Sequence, residues 1–315
     1  MMSTGARVRK GLKVFLEMTR FNFIPASILP FLAGVMFAVY KGYEVSVMPV
    51  VAGFLGVISA HAGGNALNNY FDYRMGADSL SVHTSPFFGG SKVIVSGSAA
   101  PALCLMTGAF LMVLALGAGI AVYIMTAGIG VLMFMLAGGA LTAAYSMPPM
   151  KLAYRYYGEL VIFLLFGPML ICGAFYVVTG TVTGSAIAMS LPLSFLITSV
   201  IVCNEVPDHG MDVVAGKKNL ISLIGPDNGY KLFWTLAVLS VASLIIDVLS
   251  GILPPLVLSC VLLYFPALRA GKVLKKRSGD PEGLVEAGAN TILMYNIVGV
   301  CLIVSVLVST LTWNG

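Results

Sequence analysis

A chain of 315 residues with 58% hydrophobic and only 10% charged side chains cannot hide its apolar surface in a water-soluble globule, where about 25% charged residues are usual. A mean hydropathy of +0.96 points to the bilayer as solvent, because the outside of a membrane protein is as apolar as its inside. The net charge of +5 comes with no basic stripe interleaved with aromatics outside the apolar runs, so nothing supports nucleic-acid binding. Cys104, Cys172, Cys203, Cys260 and Cys301 each stand alone in apolar stretches, which indicates neither a disulfide framework nor a zinc site.

In chain order, residues 1–20 come first. They carry Arg7, Arg9, Lys10, Lys13 and Arg20 and are partly amphipathic. The apolar run after them has full-span length and lacks a small-x-small cleavage site, so the reading is a basic interfacial segment before a retained span, not a signal peptide. Runs of roughly 20 apolar residues then predict nine transmembrane helices at 22–40, 47–68, 101–124, 127–145, 159–179, 184–204, 230–249, 252–267 and 289–311. The expected fold is an all-α bundle, residues 1–315 forming one transmembrane domain. Short connections alternate with long ones at 69–100, 146–158, 205–229 and 268–288. Of the 18 Lys and Arg residues, all but Lys41 lie in the N-terminal segment or on the long-loop side. The positive-inside rule then places the N-terminus and the long loops in the cytoplasm, in a multi-pass protein of the inner (cytoplasmic) membrane. Asn68-x-x-x-Asp72 ends the second span and Asn204-x-x-x-Asp208 the sixth. That match, four spans apart and on one face, hints at a four-helix pseudo-repeat.

At the first of these sites Asn65, Asn68, Asn69 and Asp72 recur at i, i+3, i+4 and i+7, one face of a helix; Gly76 lets the chain turn so that Asp78 can point back. At the second, Asn204, Asp208 and Asp212 stand at i, i+4 and i+8, and Pro207 and Gly210 suggest a kink or an end. Such polar faces cost several kcal/mol against lipid and fit the bundle interior better. Mg²⁺ takes hard oxygen ligands, commonly one or two carboxylates with substrate phosphates. Two carboxylate clusters facing each other suit ions bridging a diphosphate. Solvated loop-end carboxylates are the plain alternative.

Between the two sites lies Tyr145 to Glu159, where Pro148 and Pro149 favour extended backbone. Lys151 and Arg155 there can neutralise phosphate charge, or simply form a positive-inside loop. The stretch 86–97 is apolar, glycine-rich and too short to span, which predicts an interfacial helix or re-entrant lid.

Together these residues resemble the UbiA superfamily of intramembrane prenyltransferases. Asn68-Asn69-Tyr70-Phe71-Asp72 is similar to that family's N-D-x-x-D motif and Asp208-His209-Gly210-Met211-Asp212 to its D-x-x-x-D motif. Tyr145-Ser146-Met147-Pro148-Pro149-Met150-Lys151 resembles its Y-S-x-x-P-x-K element, and Thr19-Arg20-Phe21 its T-R-P. The likeness covers nearly the whole chain and is greatest to the 1,4-dihydroxy-2-naphthoate polyprenyltransferase branch of menaquinone synthesis. It implies Mg²⁺ on Asp72, Asp78, Asp208 and Asp212, with Asn68 and Asn204 in support, holding an allylic polyprenyl diphosphate. It also implies substrate contacts from Arg20, Asn69, Arg74, Tyr145, Lys151, Tyr154 and Arg155. The partners it implies are that diphosphate, an aromatic acceptor and the lipid bilayer, with no obligate protein partner. Asn69 departs from the pattern: the family usually has Asp there, and Asn keeps an oxygen but loses a charge. Other acceptors, such as 4-hydroxybenzoate or another lipid precursor, stay open. So does a cation-coupled transporter, although that class favours ionisable groups at the bilayer midplane. A lipid-binding or scaffold protein without catalysis is a third class, which Asn69 keeps open.

Overall fold

The computed structural model describes residues 4–76, 85 and 90–313. The chain opens with α1 (Thr4–Met18), whose exposed face mixes Val8 and Leu12 with Arg9, Lys10 and Lys13. This is the amphipathic, interface-lying character expected of the basic segment. A tight turn with Arg20 in the left-handed region (φ 47°) leads into α2 (Pro25–Tyr40). There follow α3 (Val47–Arg74), α4 (Pro101–Thr126), α5 (Ile129–Ser146), α6 (Gly158–Thr179), α7 (Gly184–Val214), the short α8 (Leu220–Ile224), α9 (Gly229–Leu249), α10 (Pro255–Lys276) and α11 (Pro281–Trp313). Among the described residues, nine helices are long and apolar enough to cross a membrane, and they match the predicted spans one for one.

Four boundaries differ, for one physical reason: polar residues at a span's edge do not end a helix whose backbone bonds remain satisfied, and so α11 already begins at Pro281 rather than at 289. α3 runs 28 residues and carries the first polar cluster inside the helix. α7 runs 31 residues through Pro192 and Pro207 to Val214, so Pro207 and Gly210 do not terminate it. α10 continues to Lys276 through what reads as loop; its first half, Pro255–Tyr264, is a 3-10 helix.

α3 packs mainly along α4, and α7 along α9. α2 sits between α6 and α11, and α10 lies against α11. Close backbone approach makes the α2–α6 contact: a Cβ on Gly34 would collide with the Ile171 carbonyl oxygen. The two ends of the chain are filled differently. α7, α9, α10 and α11, with α2 and α6, form a continuous apolar core around Leu193, Phe233, Leu244, Val257, Met294 and Val298. The space enclosed by α2 to α7 is a cavity of about 1440 Å³. Large side chains on the outer faces of α4 and α5, such as Met106, Phe110, Val113 and Met133, are exposed, as lipid-facing surface should be.

Candidate functional site

The cavity is apolar for most of its length and polar at one end. Phe31, Val57, Met112, Phe134 and Met169 line the apolar part. The polar end is built by the helix face predicted on α3, continued by α7: Asn65, Asn68, Asn204, Arg20 and Tyr145 all line it. A volume above the usual 300–1,000 Å³ of ligand sites suits a long apolar chain carrying one polar head. Asn68 Nδ2 donates to Ser146 Oγ at 2.7 Å and Asn65 Nδ2 to the Thr19 carbonyl at 2.9 Å. Asn204 Oδ1 is buried and has no hydrogen-bond partner among the described residues. A buried, unsatisfied acceptor costs about 1–3 kcal/mol and is a place for a ligand.

The carboxylates lie just beyond this end. Asp72 is buried, and its Oδ1 accepts from Tyr154 Oη at 2.9 Å. Burial first, then the Asp72 charge, push the Tyr154 phenol well above its ordinary value. Asp212 on α7 accepts from Asn219 Nδ2 at 2.8 Å and lies 3.6 Å from Lys217 Nζ. Burial alone would lower Lys217, but Asp212, Tyr145, Asp72 and Glu205 act against it and hold its ammonium well above the usual lysine range. Lys217 is thus the cation shared by acids from both helix ends. Glu205, which acts on it, and Glu159, which acts on Glu205, are both buried. Glu159 Oε1 accepts from the Leu220 amide, and Tyr156 N donates to Lys218 O at 2.7 Å. These two bonds tie the segment after α5 to the segment after α7. Asp208, half-buried on α7, shares the face of Asn204 and Asp212.

The basic residues divide. Arg20 lines the cavity; Arg74, Lys151 and Arg155, together with Tyr154 and Lys218, line a separate basin of about 740 Å³. Asp72 is tied to the basin's lining through its bond from Tyr154. Asn69 is fully buried and lines neither. Its Oδ1 accepts from Arg20 Nη2 at 3.0 Å, and its Nδ2 donates to Met18 O at 2.7 Å. An aspartate could not make the second bond, so the departure from Asp has a local use: it fastens the end of α1 to α3. Asn69→Leu is therefore expected to loosen α1 and to speed tryptic cleavage at Lys10 or Lys13 several-fold in limited proteolysis.

Asp78 lies outside the described residues, as do residues 86–89 of the glycine-rich stretch. Residues 92–97 form successive turns, Ser96 N donating to Lys92 O at 2.8 Å, in place of the expected helix. Val93 and Ile94 are buried with Met18, Ala66 and Cys104, so this stretch straps the cavity's edge.

The Asp72, Asp208 and Asp212 carboxylates offer hard oxygens beside the Lys217 ammonium, and Asn204 Oδ1 has no partner among the described residues, which fits Mg²⁺ bound by one or two carboxylates and substrate phosphates. Among the described residues, no three His, Cys, Asp or Glu side chains converge into a preformed metal cage. Outside the predicted set, the structure adds Glu159, Lys217 and Asn219, and in the cavity wall a pair of buried Ser27 and half-buried His61. His61 lies four residues before Asn65 on the same stripe of α3, the one signal in the sequence near it, but a lone histidine in an apolar run does not declare a role.

Residues 27–286 match the UbiA prenyltransferase family. Over 210 residues the chain is 25% identical to UbiA prenyltransferase domain-containing protein 1 of Xenopus tropicalis, covering 66% of this chain and 59% of that protein. It is 22% identical over 219 residues to the 1,4-dihydroxy-2-naphthoate octaprenyltransferase of Bacillus subtilis, covering 68% and 66%. The fold is similar to that of a UbiA homologue from Archaeoglobus fulgidus bound to GPP and Mg²⁺, with a TM-score of 0.64 at 18% identity over 92% of this chain and 99% of that one. The chain belongs to the UbiA prenyltransferase family.

Proposed function

We propose that this UbiA-family chain transfers a polyprenyl group from an allylic polyprenyl diphosphate to an aromatic acceptor, 1,4-dihydroxy-2-naphthoate being the one its resemblance favours. The carrying observation is the cavity of about 1440 Å³, apolar along its length and closed at one end by Asn68, Asn204 and Arg20 with the carboxylates just beyond. In this reading the polyprenyl tail lies along Phe31, Phe134 and Met169, and the diphosphate reaches the polar end. Asp72, Asp208, Asp212 and, from the sequence, Asp78 would hold Mg²⁺, with Asn68 and Asn204 beside them. Bound there, the ion offsets the charge that builds on the departing diphosphate.

The chain's own residues do the rest. Arg20 meets the diphosphate from the cavity side, and Arg74, Lys151 and Arg155 offer charge from the basin side. Apolar walls keep water from the allylic carbon while the acceptor ring attacks it. Tyr145 borders the reacting end, and Tyr154 holds Asp72 in place. The positive-inside sorting puts this end in the cytoplasm.

The test is Mg²⁺-dependent pyrophosphate release from a polyprenyl diphosphate, with prenylated product detected by mass spectrometry. A hydroxylated naphthoate should give product and 4-hydroxybenzoate little. Product from 4-hydroxybenzoate alone would move the acceptor assignment. Ion flux in liposomes without release from any acceptor would replace the enzyme reading with a transporter.

A further inference from the structure

Deep in the cavity wall, Ser27 Oγ and His61 Nδ1 stand 2.6 Å apart. Ser27 is 2% exposed, and both residues line the cavity. An imidazole in an apolar helix run is costly unless paired, and the hydroxyl from α2 supplies that pairing. Its orientation is fixed from a third helix. The Phe166 ring meets the imidazole edge-on, centroids 5.1 Å apart at 70°. Phe166 lies in a π-helical turn, Leu165–Met169, that contains Pro168. Such turns re-aim side chains and recur at functional sites. Gly167 within it lies against Ser194, where a Cβ would collide with the hydroxyl. Three helices thus converge to hold one histidine against a substrate-sized space.

Its depth is informative. His61 stands on the stripe of Asn65 and Asn68, and seven residues of helix place it roughly 10 Å below Asn68. A group held at His61 is therefore separated from the polar end by a gap that an aromatic ring fills. Ser27 and Phe166, the groups against the imidazole, are neutral, and Arg20 acts on it through its charge.

We propose that His61, held by Ser27 and Phe166, binds a ring hydroxyl of the aromatic acceptor and takes its proton as the new carbon–carbon bond forms. This rests on the prenyltransfer reading above. Nδ1–H donates to Ser27 Oγ, which leaves the Nε2 lone pair for the acceptor. As the ring carbon bonds to the allylic C1, the C1–O bond breaks and its electron pair leaves with the diphosphate. The hydroxyl proton passes to Nε2, giving an imidazolium and a neutral ring ketone. The newly bonded ring carbon then gives its proton to the departing diphosphate, and the imidazolium returns the other to oxygen, which restores the aromatic product.

The experiment compares the unmodified protein with His61→Gln, His61→Ala and Ser27→Ala in nanodiscs, using a polyprenyl diphosphate and a hydroxylated naphthoate. The expected results are a kcat for transfer at least 10²-fold lower in both His61 variants, within the range for a lost general base, and a partition of the allylic group at least tenfold further toward water. The acid limb of the transfer rate should vanish in His61→Gln. Calorimetric binding of the naphthoate, without metal or diphosphate, should weaken about tenfold in His61→Ala. Ser27→Ala should show a smaller loss in the same direction. Transfer in His61→Gln within threefold of the unmodified protein overturns the proposal. So does an equal loss of transfer and water capture with the acid limb intact, which is what a merely structural histidine would give. If the unmodified protein releases no pyrophosphate from any polyprenyl diphosphate, the prenyltransfer reading falls, and this proposal with it.

Discussion

Asp72→Ala and Asp208→Ala are each expected to lower prenyl transfer by about 10³-fold or more, the upper range for a group that stabilises developing charge, while leaving the bundle folded. Both sit at helix ends beside the cavity and outside the continuous apolar core, so neither truncation opens that core. Asp72 permits a sharper division. Its Oδ1 accepts from Tyr154 Oη, so Asp72→Asn keeps an acceptor for the phenol and removes only the charge. If the carboxylate serves a cation and the diphosphate, Asp72→Asn should fall nearly as far as Asp72→Ala, and excess Mg²⁺ should restore little. Tyr154→Phe, which spares the charge, should cost tenfold or less. Single-turnover transfer across an Mg²⁺ titration reads all three. Substantial turnover in Asp72→Ala and Asp208→Ala together would mean that the metal end has been placed wrongly.

Why some of this was legible beforehand and some was not comes down to range. A span is a local property: twenty apolar residues satisfy their own backbone and need no partner, so nine of them could be read off the chain. The stripe Asn65, Asn68, Asn69, Asp72 was equally local, since helical spacing alone puts those residues near one another. What spacing cannot say is which side of the stripe faces a cavity. Asn68 lines it, whereas Asn69, the next residue, is locked between Arg20 and Met18. The split of Arg20 from Arg74, Lys151 and Arg155 is also invisible in sequence, because which space each lines depends on contacts between segments far apart in the chain. His61 was missed for a similar reason. A single histidine in an apolar run reads as packing until Ser27, 34 residues earlier, is seen beside it. The helix edges differ because polarity marks the end of an apolar run and not of a helix: α3 and α7 keep their backbone bonds through the polar clusters. Nor did composition mark Pro255–Tyr264 as 3-10 helix.

The largest stability effect should come from Lys217. One ammonium answers Asp212 directly, and Asp72 and Glu205 by field, with Glu159 close by on Glu205. Removing one partner of a buried ion pair costs about 3–5 kcal/mol, because the other charge stays behind without compensation. Lys217→Met should therefore lower the thermal unfolding midpoint in detergent by several degrees, and Lys217→Arg by much less. The double variant Lys217→Met/Asp212→Asn should recover about 1 kcal/mol or more, since the two side chains act on each other. The pH dependence follows from the sign of the shift. Folded Lys217 holds its proton more tightly than the ordinary value of 10.5, so its contribution is complete below that value. It is lost only as pH rises through the higher folded one. The gap between unmodified protein and Lys217→Met should stay constant from neutral pH up to about 10 and close only above that. A gap that closed instead near neutrality would show that Lys217 is not the cation holding these acids together. The segment from Gly216 to Asn219 would then owe its position to the Tyr156–Lys218 and Glu159–Leu220 bonds rather than to charge.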